Sequence, residues 1–273
     1  MTRYLIELRT LCDWQSRLGD PVEHWKRRAS AMELAIQWTM ASVSGGSGLP
    51  GAVEKVVAEV PGGDRCKVKL AIPELQTALD TRGKPSQTDL WVLLQTEGGF
   101  ISLSVEAKAN EPFGELTGKW LSVEKNEGRW ARLRSLCSEL GLDSEGEPVK
   151  GLMYQLLHRT VATLLEAREW KASAAVMLVQ SFGEGSRESE RSWQHFESFC
   201  TALGAESTRG RLSRATVVPG TVPLWLGWID CECADDATAL GVLGQSRASL
   251  RTELENVSGR KVLPADTLGD GAA

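Results

Sequence analysis

Thr88-Asp89-Leu90-Trp91-Val92-Leu93-Leu94-Gln95 and, after Glu97-Gly98-Gly99, Phe100-Ile101-Ser102-Leu103-Ser104-Val105-Glu106-Ala107-Lys108 form the stretch that decides the fold. Each arm reads as a β-strand and the glycine pair as the turn between them. A turn centred between Glu97 and Gly98 pairs residues whose numbers sum to 195, which sets Asp89 opposite Glu106. Side chains alternate along a strand, so Lys108 shares the face of Glu106 while Ala107 takes the other. Directly opposed Cβ atoms lie about 4.5–5.5 Å apart. Two carboxylates that close repel, unless a positive charge sits between them or one takes a proton. A divalent cation with oxygen ligands, such as Mg2+, resolves the conflict. Asp89 and Glu106 are therefore candidate metal ligands. Ser102 and Ser104 leave room beside Glu106, and Trp91 shares the face of Asp89 as a candidate substrate contact.

Working outward, Asp20-Pro21-Val22-Glu23 is a helix start with an N-cap, a first-position proline and an early acid. The pattern predicts one helix to about Ser42, with Val22, Trp25, Ala29, Met32, Ile36 and Met40 on one stripe. Leu34 and Trp38 lie on the far side, leaving Glu33 between two covered faces. A flexible connection spans 44–51, a short helix Ala52–Glu59, and Cys66–Leu79 is ambiguous, with strand character in Val68-Lys69-Leu70.

Beyond the hairpin, Glu111-Pro112-Phe113-Gly114 stops the strand. A helix runs through Trp130, Leu133, Leu136, Cys137 and Leu140 and closes at Gly141; a longer one covers Leu152 to Trp170. The apolar run 174–180 reads as a central strand covered on both faces. Glu184–Arg191 reads as a loop, and Trp193, Phe196, Phe199 and Leu203 as another helix. Residues 222–229 read as a late strand, Asp235–Val257 as an interrupted helix, and the last ten residues as disordered. This order predicts an α/β layer structure with a mixed central sheet flanked by helices.

The 273 residues are 42% hydrophobic and carry a net charge of −5. An acidic chain does not coat nucleic acid along its whole surface, although a local basic groove is compatible with it. One basic run exists: Lys119 to Arg134 holds five basic residues against Glu124 and Glu127. Its plain reading is solvated surface. The six cysteines form no C-x-x-C pair, and with three histidines a zinc site is not expected. The cysteines read as small buried hydrophobes of a reducing compartment. No apolar signal core follows Met1, and no run approaches the roughly 18 apolar residues of a membrane span. A cytoplasmic protein with no membrane partner is expected.

The pattern Asp89-(x16)-Glu106-Ala107-Lys108 resembles the signature of the PD-(D/E)xK nuclease-like, or restriction-endonuclease-like, superfamily. The resemblance implies an α-β-β-β-α-β core, matched over about 20–182 and taken with its N-terminal helix as 1–182; the remaining pattern reads as a C-terminal helix and strand extension over 183–263 packed on the same domain, and a tail over 264–273. It implies that Asp89 and Glu106 hold Mg2+, with Mn2+ as the alternative, and that Lys108 orients or activates the attacking water. It brings in Glu33 as an acid from the first core helix and Gln155 as a polar residue from the helix after the lysine strand. His158 and Arg159 follow Gln155 at helical spacing and are candidate phosphate contacts. Ser30-Ala31-Met32-Glu33-Leu34-Ala35 and Tyr154-Gln155-Leu156-Leu157-His158-Arg159-Thr160 also resemble a family of uncharacterised bacterial proteins assigned to this fold. Thr88 stands where many members have proline, and Arg159 where one branch has an aromatic residue. The implied function is metal-dependent hydrolysis of nucleic acid, DNA first. The alternative is a catalytically inactive module of the same fold that binds a protein partner or a second copy.

Overall fold

The computed structural model describes residues 11–80, 83–122, 127–183 and 185–244. The elements are α1 Leu11–Gln15, α2 Pro21–His24, α3 Ser30–Val43, α4 Gly51–Val57, β1 Lys67–Thr77, β2 Ser86–Thr96 and β3 Gly99–Lys108. They continue as α5 Thr117–Leu121, α6 Glu127–Leu140, α7 Glu147–Lys150, α8 Tyr154–Glu169, β4 Ala174–Ser181, α9 Arg187–Ala202, β5 Arg211–Arg214 and β6 Leu224–Asp230. Residues 236–244 are again helical.

The hairpin has the register that its turn dictates. Pairs run from Leu90↔Val105 to Thr96↔Gly99, each summing to 195, with Glu97 and Gly98 as the turn. Alternation then sorts the side chains. Leu90, Val92 and Leu94 join Ile101, Leu103, Val105 and Ala107 in one core, together with Leu34, Ala35 and Trp38 of α3 and Val53, Val56 and Val57 of α4. The opposite face of β3 is polar, with Ser102, Ser104, Glu106 and Lys108 all buried. Strand β4 is buried throughout: Ala174, Val176 and Leu178 face the first core, while Ala175, Met177 and Val179 face a second, built with α6, α8 and α9. A strand covered on both faces shows this continuous apolar run.

The strand order is β1-β2-β3-β4-β6-β5. β1, β2 and β3 are an antiparallel meander, β4 joins β3 in parallel, β6 joins β4 in parallel, and β5 closes the far edge antiparallel to β6. The result is a mixed six-stranded sheet with helices on both faces. The stretch after residue 182 supplies two of its strands.

The helix expected from Asp20 to Ser42 is two helices. Asp20 caps the first, accepting from the backbone N–H groups of Val22 and Glu23 at 3.1 and 3.0 Å. The chain then breaks, with Arg28 in the left-handed region at φ 65°, and restarts at Ser30. The break removes Val22 from the proposed stripe and leaves it 91% exposed. The ambiguous segment 66–79 is strand β1, which carries a register shift between Val68 and Leu70. The expected loop 184–191 is shorter, because the Ser186 hydroxyl caps α9 by accepting from Ser189 N–H. Gly141 closes α6 as expected: its φ is 72°, and a Cβ there would meet the Val217 carbonyl oxygen at 2.5 Å. The short elements α5, α7 and β5 had no counterpart in the sequence pattern. The remainder of the Asp235–Val257 helix and the expected tail lie outside the described residues.

Trp228 on β6 is fully buried among Phe113, Trp193 and Phe196, with ring centroids 5.6–6.2 Å away. Replacing a buried Trp by Ala removes both transfer energy and packing. Trp228→Ala should lower unfolding free energy by about 3–5 kcal/mol, read as a shifted urea midpoint at constant slope.

Candidate active site

Asp89, Glu106 and Lys108 meet where the hairpin ends, under the first turns of α8. Glu106 is 2% exposed, and both of its carboxylate oxygens are engaged. Oε1 accepts from Lys108 Nζ and from Gln155 Nε2, each at 2.7 Å. Oε2 accepts from Arg159 Nε at 2.6 Å. Asp89 Oδ2 accepts from the Ala107 backbone N–H at 2.8 Å, and its Oδ1 lies 3.8 Å from Arg159 NH2. One guanidinium therefore spans the two carboxylates, and its NH1 also donates to the Ser86 hydroxyl at 3.1 Å.

The two acids respond oppositely to burial. For Glu106, desolvation favours the neutral form, but the charges and hydrogen bonds of Arg159 and Lys108 outweigh it and hold the carboxyl at about 2. Asp89 has weaker compensation: desolvation and the neighbouring Glu106 charge push it up to about 7, against the pull of Arg159 and Lys108. Lys108 loses charge preference through burial and regains more from Glu106, Asp89 and Glu111, so it is held above the usual lysine range as an ammonium. As an ammonium it donates hydrogen bonds and accepts none.

These groups line a cleft of about 460 Å³ that also takes in Glu74, Gln87 and Glu111. Glu74 is an acid that the sequence pattern did not single out. Pro73 pairs with Leu90 and Leu75 with Thr88, so β1 sets Glu74 across from Asp89. Its φ is 55°, and Gln87 Nε2 donates to its Oε2 at 2.7 Å. Burial first, then Asp89, raises its carboxyl to about 8. Gln87 was within reach of sequence reasoning, since it stands two residues before Asp89 on the same strand face. Carboxylates outnumber cations along this wall, and their oxygens suit a hard divalent ion, which keeps several waters and needs only one or two protein carboxylates. Among the described residues, no group of three or more His, Cys, Asp or Glu is placed to hold a metal. A cation at Asp89 and Glu106 would therefore need water or substrate oxygens to complete its shell.

Gln155 and Arg159 join the site, and the Arg159 side chain is only 11% exposed. His158 points beside the site. Its Nδ1 is 2.9 Å from the Ser86 hydroxyl, and burial together with adjacent Arg159 lowers it to about 3, so at neutral pH it brings no charge to a phosphate. Trp91 shares the face of Asp89 but is fully buried. Its Nε1 donates to Ser102 Oγ at 2.9 Å and its ring packs on Trp170 at 5.5 Å, so it supports the sheet and is closed to substrate.

Glu33 is also excluded from the cleft. The α3 side chains around it pack on the other sheet face. Its carboxylate accepts from the Arg28 and Ala234 backbone N–H groups at 2.8 and 3.0 Å and from the Arg27 guanidinium. It ties the helix break to the chain after β6.

Four of the cysteines, Cys66, Cys137, Cys200 and Cys231, are buried free thiols that behave as small core residues, and Cys233 is a half-buried free thiol. No helix among the described residues is long and apolar enough to cross a membrane.

Two outcomes follow from these surroundings. Asp89 has a raised folded pKa, so its contribution to stability is complete below the unfolded value and is lost as pH rises through about 7. Asp89→Asn should therefore raise Tm more at pH 8 than at pH 5 in EDTA, by at least about 2 °C at the higher pH. An equal effect at both pH values would refute the assignment. Glu33→Ala should cost about 2–3 kcal/mol of stability. Calorimetric affinity for Mn2+ should stay unchanged, whereas a metal role for Glu33 would lower it.

Residues 7–233 match a family described as a domain of unknown function, DUF6946. Nothing matches among curated proteins or among solved structures. The match spans most of the chain, including every strand of the sheet and the whole carboxylate–lysine–arginine site, and the chain belongs to the DUF6946 family.

Proposed function

We propose that this protein is a divalent-metal-dependent phosphodiesterase that cleaves nucleic acid, DNA first, on a restriction-endonuclease-like core. The observation that carries the reading is the convergence of Asp89, Glu106 and Lys108 at one cleft, with Gln155 and Arg159 bound to the same Glu106 carboxylate. The element order over α3, the β1–β3 meander, α8 and β4 agrees with that core.

Asp89 and Glu106 would hold Mg2+, or Mn2+ in its place. Such an ion supplies Lewis-acid stabilisation of the phosphoryl oxygens and lowers the pKa of a bound water. The chain's own groups do the rest. Lys108, oriented by Glu106, donates hydrogen bonds to the attacking water or to a phosphate oxygen. Arg159 adds a planar cation suited to two phosphate oxygens. Fixed donors aimed at developing negative charge stabilise a transition state without reorganising. Gln155 holds Glu106 in place from α8.

A second reading, a binding module that has lost catalysis, draws on the full engagement of Glu106 by Lys108, Gln155 and Arg159. One assay separates the two. Purified protein is incubated with single-stranded and duplex DNA and RNA in Mg2+, Mn2+ or EDTA. The hydrolase reading expects metal-dependent cleavage that falls at least about 100-fold in Asp89→Ala and in Lys108→Ala, the scale of removing one preorganised electrostatic group. Absence of cleavage on every substrate would overturn it.

A further inference from the structure

A second recess, of about 440 Å³, adjoins the acidic cleft and shares Lys108, Glu111, Gln155 and Arg159 with it. Its character is different. Phe113, Trp120, Tyr154 and His158 line it. The Trp120 and Tyr154 rings stack with centroids 3.8 Å apart and planes 12° apart, and His158 follows at 5.0 Å from Tyr154. Backbone pairing fixes this wall: Thr117 N–H donates to the Leu152 carbonyl at 2.8 Å and Tyr154 N–H to the Glu115 carbonyl at 3.0 Å. Trp120 and Tyr154 both stay half-buried.

The rim is basic. The Arg129 guanidinium lies 5.2 Å from the Trp120 ring centroid and donates to the Trp120 carbonyl. Arg132 donates to the Lys84 carbonyl at 2.6 Å and hydrogen-bonds the Tyr154 phenol. Both arginines belong to the basic run 119–134. The cations Lys108 and Arg159 at the shared wall and Arg129 beyond Trp120, with aromatic rings between them, complement alternating phosphates and bases. Bases within a duplex are stacked and paired, so only an unpaired base reaches such a pocket.

Building on the hydrolase reading, we propose that this recess seats an unpaired nucleobase beside a phosphate held at Lys108 and Arg159, which makes the substrate single-stranded or locally unpaired nucleic acid. Trp120 is then a specificity-determining residue and Arg129 a phosphate contact at the rim.

The test is fluorescence anisotropy in EDTA with three labelled probes: a single strand, its blunt duplex, and the same strand carrying consecutive abasic sites. Wild type should bind the single strand at least about tenfold more tightly than the abasic strand, the size expected for a stacking contact. Trp120→Ala should erase that difference and Trp120→Phe should keep most of it. Arg129→Gln, which leaves the rings intact, should flatten the dependence of binding on salt; it covers the case in which Trp120→Ala does not fold. Equal affinity of wild type for all three probes, an unchanged base preference in Trp120→Ala, or no binding would overturn the proposal. Base-dependent binding without metal-dependent cleavage would instead remove the hydrolase reading and leave the recess standing.

Discussion

A carboxylate sealed beneath a helix governs this structure. Burial disfavours the ionised form of Glu106, and the fold answers with donors from two elements: Lys108 from its own strand, Gln155 and Arg159 from α8. Positions 155 and 159 are one helical turn apart, so α8 satisfies Glu106 only at one height above the sheet. That height also delivers Arg159 to Asp89 and Ser86. The polar face of β3 and the packing of its covering helix are thus a single constraint. The opposite, wholly apolar face of β3 accepts α3 and α4 without comparable demands.

The hairpin was legible because two local rules agree on it: a two-residue turn fixes the register, and strand alternation fixes the faces. Together they placed Asp89, Glu106 and Lys108 before any tertiary information. The apolar run of β4 and the periodicity of α6 and α8 were readable for the same reason. A mixed sheet flanked by helices followed from their order.

Where the pattern misled, a long-range contact overrode a local one. Asp20 does cap a helix, yet Arg28 adopts a left-handed backbone so that Glu33 can reach the chain 201 positions away. No periodicity carries that information, and Glu33 therefore read as a site acid. Trp91 sits on the predicted face, but whether that face is open depends on Trp170, which α8 brings over it. Glu74 lay in an ambiguous segment whose register shift, between Val68 and Leu70, sets its pairing with β2. Alternation gives a side chain its direction; the neighbouring layer decides what it meets.

The strand order has a consequence for biosynthesis. β6 lies between β4 and β5, so the edge of β4 finds its partner only once residues 224–230 exist. Until then the nascent chain carries an entirely apolar central strand with an open hydrogen-bonding edge, the kind of edge that templates association with other chains. Contacts of such sequence separation also form slowly. The clasp of Glu33 and Arg27 on residue 234 then fastens the newly arrived strand from the other end of the chain. A polypeptide ending before residue 224 would expose the middle of its sheet.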